Sequence, residues 1–162
     1  MVSVEPPHHR LPPPLITSAP VNHASQTTST DFRNKIINKK KSEEGTAKFV
    51  SPAYIQHNPL IADGSVALGK FFGQITRERA RARVVVHRII AAADYVWVHV
   101  NFLNLFNDDP DDTGVAGVDI WKLDADGKAI EHWDTLQLVG DRKNSAPWIA
   151  PNIPRANPNL MF

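Results

Sequence analysis

Asp119, His132 and Asp134 place two carboxylates and an imidazole within one short stretch of chain. Asp119 opens the run D-I-W-K-L, and His132 and Asp134 fall in I-E-H-W-D-T-L. Asp126-Gly127 stands between the runs and supplies the positive-φ positions of a tight turn, so 119–139 predicts a β-hairpin. Alternation places Ile130, His132, Asp134 and Leu136 on one face of the second strand, and Asp119, Trp121 and Leu123 on one face of the first. Two carboxylates and an imidazole then stand on adjacent strands among large apolar groups. Such a set suits general acid–base work, in which one group takes a proton and another gives one. Asp is a poor base at its solution pKa of about 3.9, but burial and a second carboxyl nearby both raise that value. The competing reading is an ordinary sheet with one wet face. Neither face is cleanly polar or apolar, which favours a polar pocket within a curved sheet.

Other elements must position these groups. Residues 1–30 carry six prolines (Pro6, Pro7, Pro12, Pro13, Pro14, Pro20) and many Ser, Thr, Asn and His, and read as an extended tail or arm. Ser29-Thr30-Asp31 offers cap oxygens for a helix carrying Phe32, Ile36 and Ile37, with the basic cluster Asn38 to Lys41 as its solvated end. A second short helix runs from Ser42 to Phe49. Pro52 breaks it, and Ala53 to Asn58 predicts a short strand with Tyr54, Gln56 and Asn58 on one face and Ile55 and His57 on the other. After the Asp63-Gly64 turn, Ser65 caps a helix to about Arg79, with Val66, Leu68, Phe71, Phe72 and Ile75 as its buried side. Ala82 to Ala92 and Tyr95 to Leu105 predict two more strands. In the latter, Val96, Val98, Val100 and Phe102 oppose Tyr95, Trp97, His99, Asn101 and Leu103. Helices interleaved with one strand, then four strands in consecutive hairpins, give an α+β fold with a mostly antiparallel sheet and helices on one face. Residues 141–162 form a polar tail ending in Met161-Phe162.

A chain of 162 residues suits one domain of about 31–140 with tails. Its formal net charge of +1 points to neither a nucleic-acid nor a membrane partner. The absence of cysteine excludes disulfides, thiolate catalysis and Cys-ligated zinc. No apolar run reaches spanning length and no secretory core is present, so a cytoplasmic protein is expected. His57, His99 and His132 can be imagined as a zinc triad, but they lie on separate strands without diagnostic spacing. The acidic loop Asn107 to Gly114 lacks an EF-hand register. The adjacent His8 and His9 read as solvated tail residues. No metal or cofactor is expected.

Y-I-Q-H-N-P at 54–59, followed by D-G at 63–64 and then by D-I-W-K-L and D-G-K-A-I-E-H-W-D across 119–134, resembles the SnoaL-like polyketide cyclase family of the nuclear transport factor two-like superfamily. The resemblance covers about 31–138. It implies a cone-shaped, strongly curved sheet wrapped around N-terminal helices, a deep pocket at one end, and a homodimer formed through the sheet. It also implies that Asp134 is the acid–base group, and that Asp119 matches a carboxyl in the oxyanion site of the more distant ketosteroid isomerase. The isomerase base falls where this chain has Asn58, and an amide cannot take that proton.

The expected site is therefore Asp134 as base, His132 as partner or shuttle, and Asp119, if protonated, or Tyr54 as oxyanion donor. Gln56, Asn58, Trp121 and Leu136 are expected to contact substrate, with His57, His99 and Asn101 near the mouth. Three functions of different class follow. One is a cofactor-independent cyclase, isomerase or hydrolase acting on an apolar carbonyl compound. A second is a non-catalytic binder of an apolar small molecule. The third is a dimerisation or protein-binding module, its pocket filled by its own side chains, for which Met161 and Phe162 folding back are candidates.

Overall fold

The computed structural model describes residues 23–140, 159, 161 and 162. Helix α1 (His23–Arg33) runs into a π-helical turn (Asn34–Asn38). Helix α2 (Ser42–Phe49), strand β1 (Val50–Gln56) and helix α3 (Ser65–Glu78) follow, then β2 (Arg83–Ala92), β3 (Tyr95–Leu103), β4 (Val115–Leu123) and β5 (Ala129–Leu138). The strands form one sheet in the order β1-β5-β4-β3-β2. The last four pair antiparallel as successive neighbours, and β1 joins β5 in parallel. The architecture is the α+β fold expected: an open, curved sheet with the helices across its inner face.

Alternation builds the core. Val96, Val98 and Val100 of β3 are wholly buried and Phe102 nearly so, while Tyr95, Trp97 and His99 are half-buried on the outer face. Leu68 and Ile75 of α3 and Phe32, Ile36 and Ile37 of the first helical segment close over that inner face. Val66 is exposed, against expectation. It stands two positions before Leu68, and residues that far apart point to different sides of a helix.

Two bulges bend the sheet and reset its faces. In β2, Val86 pairs with Val100 and Arg88 with His99, which leaves His87 as the extra residue. Inward positions therefore pass from Val84 to Ala91, an even position to an odd one. In β5, Glu131 pairs with Lys122 and Ala129 with Leu123, which leaves Ile130 extra. Plain alternation placed Ile130 beside His132; the bulge makes Ala129 the buried residue instead.

The first helix starts at His23 rather than Asp31, so the last part of the expected extended tail is helical. HASQTTSTDFR has weak intrinsic helix propensity. Tertiary contacts override that weakness. Ser25, Ser29 and Arg33 are buried, Gln26 Nε2 donates to Ile89 O (3.4 Å), and Arg33 reaches Asp119. The tail expected over residues 1–22 and most of that over 141–162 lie outside the described residues. Phe162 is described, and it stacks on His87 (4.3 Å between centroids) and lies 5.3 Å from His99, on the outer face of the β2–β3 hairpin. It does not fold back into the cavity.

The acidic loop after β3 uses its own carboxylates as caps. Asp112 Oδ2 accepts from Asn104 N (2.6 Å), and Asp109 Oδ1 accepts from Asp111 N (2.9 Å). Gly114 ends the loop at φ +91, where a Cβ would stand 2.1 Å from Asn101 Oδ1 and 2.8 Å from Phe102 O. Gly114→Ala is expected to destabilise the fold by roughly 1–3 kcal/mol, read as a lower urea midpoint at unchanged slope.

Candidate active site

Register brings the site together. Asp119 of β4 sits opposite Asp134 of β5, and Trp121 sits opposite His132. On the other side of β5, Gln56 of β1 pairs with His132. The inner-face side chains of three strands therefore converge on the wall of one narrow cavity, under the helices. Its polar wall is Arg33, Gln56, Asn58, Asp119, His132 and Asp134, and the rest is almost wholly apolar, with Leu68, Phe71, Phe72 and Phe102 prominent. Space open to the centre of a water-sized sphere is ≈ 40 Å³. One water needs about 10–15 Å³ on that measure, so the cavity is slim.

Asp119 is the most constrained group. Arg33 donates to its Oδ2 from Nη2 (2.5 Å) and Nε (3.0 Å), and Arg33 Nη1 reaches Ser29 O (3.3 Å). Both side chains are 2–4 % exposed. Burial pushes the Asp119 carboxyl up, but the Arg33 guanidinium, helped by His132 when that ring carries its second proton, outweighs it and holds the group below its ordinary value. Asp119 is therefore an ionised partner of Arg33. The expected role of a protonated oxyanion donor is corrected by that contact.

Gln56, His132 and Tyr54 form a chain. His132 Nδ1 meets Gln56 Oε1 at 2.8 Å, Asn58 N donates to the same oxygen (3.0 Å), and Gln56 Nε2 donates to the Tyr54 hydroxyl (2.8 Å). His132 Nε2 lies 3.5 Å from Asp119 Oδ1, within ionic range but without a hydrogen bond. Asp134 accepts from Asn58 Nδ2 at Oδ2 (2.7 Å), and Asn58 Oδ1 accepts from Leu60 N (2.9 Å). Asn58, which cannot be a base, thus orients the carboxylate expected to be one.

Seven of the eleven expected site residues border the cavity: Asp119, His132, Asp134, Gln56, Asn58, Trp121 and Leu136. Tyr54 does not reach its surface. It is buried and stacked on Trp121 (6.1 Å), and burial first, then Asp119 and Asp134, push its hydroxyl well above the ordinary value. His57, His99 and Asn101 are on the other side of the sheet. His57 stacks on Trp133 (4.8 Å) and meets Glu131 (2.9 Å). His99 contacts Arg88 (2.9 Å), and partial burial with Arg88 and His87 pushes it down. Asn101 Nδ2 donates to Thr113 O (3.2 Å). The reason is parity: His57 alternates with the inward Gln56 and Asn58, and His99 and Asn101 alternate with inward valines.

Arg33 was missed. The signal was present: it precedes Ile36 by three positions and Ile37 by four, so it shares their buried face. Its guanidinium also lies over Trp121, 5.2 Å from the ring centroid.

Asp119, His132 and Asp134 bring one potential ligand atom each within 4.8 Å of one another, a spacing that a divalent ion could bridge. Arg33 already supplies a positive charge to Asp119, which weakens the case for a second cation. Among the described residues, two buried polar atoms at the cavity wall have no hydrogen-bond partner, Trp121 Nε1 and His132 Nε2.

An α+β fold with a curved open sheet and a slim, polar-walled cavity defines the class. The SnoaL-like domain model matches residues 34–132, and the chain belongs to that family. Among solved structures it resembles TsrD from Streptomyces laurentii (18% identity, 74% of this chain and 92% of that one, TM-score 0.60). It also resembles a proposed isomerase of the SnoaL-like family from Agrobacterium tumefaciens (14%, 70% and 95%, 0.55). A third is a proposed polyketide cyclase from Bacillus cereus (17%, 67% and 71%, 0.55). A comparison with curated proteins found no match. No helix among the described residues is long and apolar enough to cross a membrane.

Proposed function

We propose that this SnoaL-like protein is a small enzyme that runs acid–base chemistry on an apolar carbonyl compound, as an aldol-type cyclisation or an isomerisation. The observation that carries the reading is the convergence of Asp119, His132 and Asp134 on the polar wall of an otherwise apolar cavity. Asp134 is the base, held by Asn58, and His132 is its neighbour for proton exchange. Trp121 Nε1, a donor without an acceptor, suits the carbonyl oxygen better than the ion-paired Asp119 does. The isomerase and cyclase named among the structural neighbours agree with this class of reaction. No cofactor is needed for it. A homodimer through the sheet belongs to the same proposal, supported by half-buried Trp97, Ile120 and Trp133 and exposed Val118 on the outer face; a monomer in sedimentation would remove that part.

The slimness of the cavity favours a second reading, a non-catalytic binder of a small apolar molecule. One experiment separates them. Apolar ketones such as 2-nonanone and 2-tetralone are incubated with the protein in D2O, and loss of the α-proton signal is followed by NMR. Exchange faster than with heat-denatured protein supports the enzyme. Ligand-induced shifts without exchange support the binder, and neither result in the panel sinks both readings.

A further inference from the structure

His132 is an imidazole with two different environments, and Gln56 decides which nitrogen carries the proton. Gln56 Oε1 lies 3.0 Å from the backbone N–H of Asn58, which can only donate. The amide must therefore present its oxygen there, and its nitrogen then faces the Tyr54 hydroxyl at 2.8 Å. The opposite orientation would set two N–H groups against each other. That same oxygen is 2.8 Å from His132 Nδ1. An oxygen that only accepts needs a hydrogen on Nδ1. In a neutral imidazole, Nε2 is then a bare lone pair. His132 is 4 % exposed, its Nε2 has no hydrogen-bond partner, and the residue borders the cavity.

We propose that Gln56 is a positioning residue that holds neutral His132 in its Nδ1–H form, so that Nε2 is the atom left to exchange a proton at the cavity. The carboxylates are tethered elsewhere, Asp119 Oδ2 by Arg33 and Asp134 Oδ2 by Asn58. Without Gln56, Asp119 Oδ1, 3.5 Å from Nε2, would still stand beside the ring as an acceptor. The proton would move to Nε2 and close off its lone pair. The role of Nε2 in proton exchange rests on the acid–base reading above; the tautomer does not, and it is read without substrate.

The test is a long-range ¹H–¹⁵N correlation spectrum of the histidine rings in the full chain, at alkaline pH so that the imidazoles are neutral. His132 is assigned by the cross-peaks lost in His132→Gln, since the chain has 7 histidines. The wild type is expected to show a protonated-type shift at Nδ1 and an unprotonated-type shift at Nε2. Gln56→Met should reverse the two shifts. Gln56→Glu, which keeps an acceptor, should leave them as in the wild type. A wild-type His132 protonated at Nε2 overturns the proposal, and so does a folded Gln56→Met protein that keeps the proton on Nδ1. If Gln56→Met melts too low to be measured, the wild-type and Gln56→Glu spectra still decide the matter. A confirmed tautomer with no α-proton exchange would leave Gln56 in its role and remove the enzymatic reading alone.

Discussion

Arg33→Met is expected to destabilise the protein by about 3–5 kcal/mol at neutral pH, the largest stability effect of any single change here, because it leaves Asp119 buried without its countercharge. Arg33 and Asp119 are 2–4 % exposed, and Arg33 Nε and Nη2 both donate to one oxygen. The pH dependence follows from the direction of the shift. In the wild type the folded pKa of Asp119 is held below its unfolded value. That contribution is therefore present above the unfolded value of about 3.9 and is lost as pH falls through the folded pKa. In Arg33→Met burial is opposed by His132 alone, so the folded pKa of the carboxyl stands higher than in the wild type. The variant should become less unstable relative to wild type as pH is lowered from 7 towards 4. Urea unfolding at a series of pH values measures this directly. A gap that is flat with pH would mean that lost packing, not the buried charge, accounts for the cost. The double change Arg33→Met with Asp119→Leu should recover most of the stability, since an apolar pair of similar bulk can replace a buried ion pair.

Asp134→Asn is expected to lower turnover of any carbonyl substrate found by the exchange assay by about 10²–10⁴-fold, the contribution of a positioned base. Stability should change by no more than about 1 kcal/mol. The amide is close in size, and its oxygen can still accept from Asn58 Nδ2, which now lies 2.7 Å from Asp134 Oδ2. Ligand binding should survive, so the loss should appear in kcat rather than in KM. Turnover that is unchanged in a folded Asp134→Asn protein would remove Asp134 as the base and leave His132 Nε2 as the group to test. Retained binding with no turnover in the wild type either would favour the binder.

Much of this molecule is legible in local residue patterns. The α+β class, the run of four antiparallel strands and the inward valines of β3 follow from period-two and helical alternation, which are local properties of the chain. The hairpin around Asp126-Gly127 and the facing of His132 and Asp134 to the same side follow from it too, as does the sharing of one face by Gln56 and Asn58. Tertiary structure decided the rest, because it depends on which face is concave and on what crosses it. Alternation separated His57, His99 and Asn101 from their neighbours but had no means of saying that their side was the outer one. Only the packing of α1, α2 and α3 over the opposite face settles that. The bulges at His87 and Ile130 shift parity without any local marker such as glycine. Helix α1 forms over a segment of weak propensity because Arg33 and two serines are buried where it docks. And Asp119, which the chain alone allowed to be a proton donor, is an anion because an arginine 86 residues away lies against it. A charge state of this kind is set by the groups that folding brings within a few ångströms, and sequence spacing does not encode that distance.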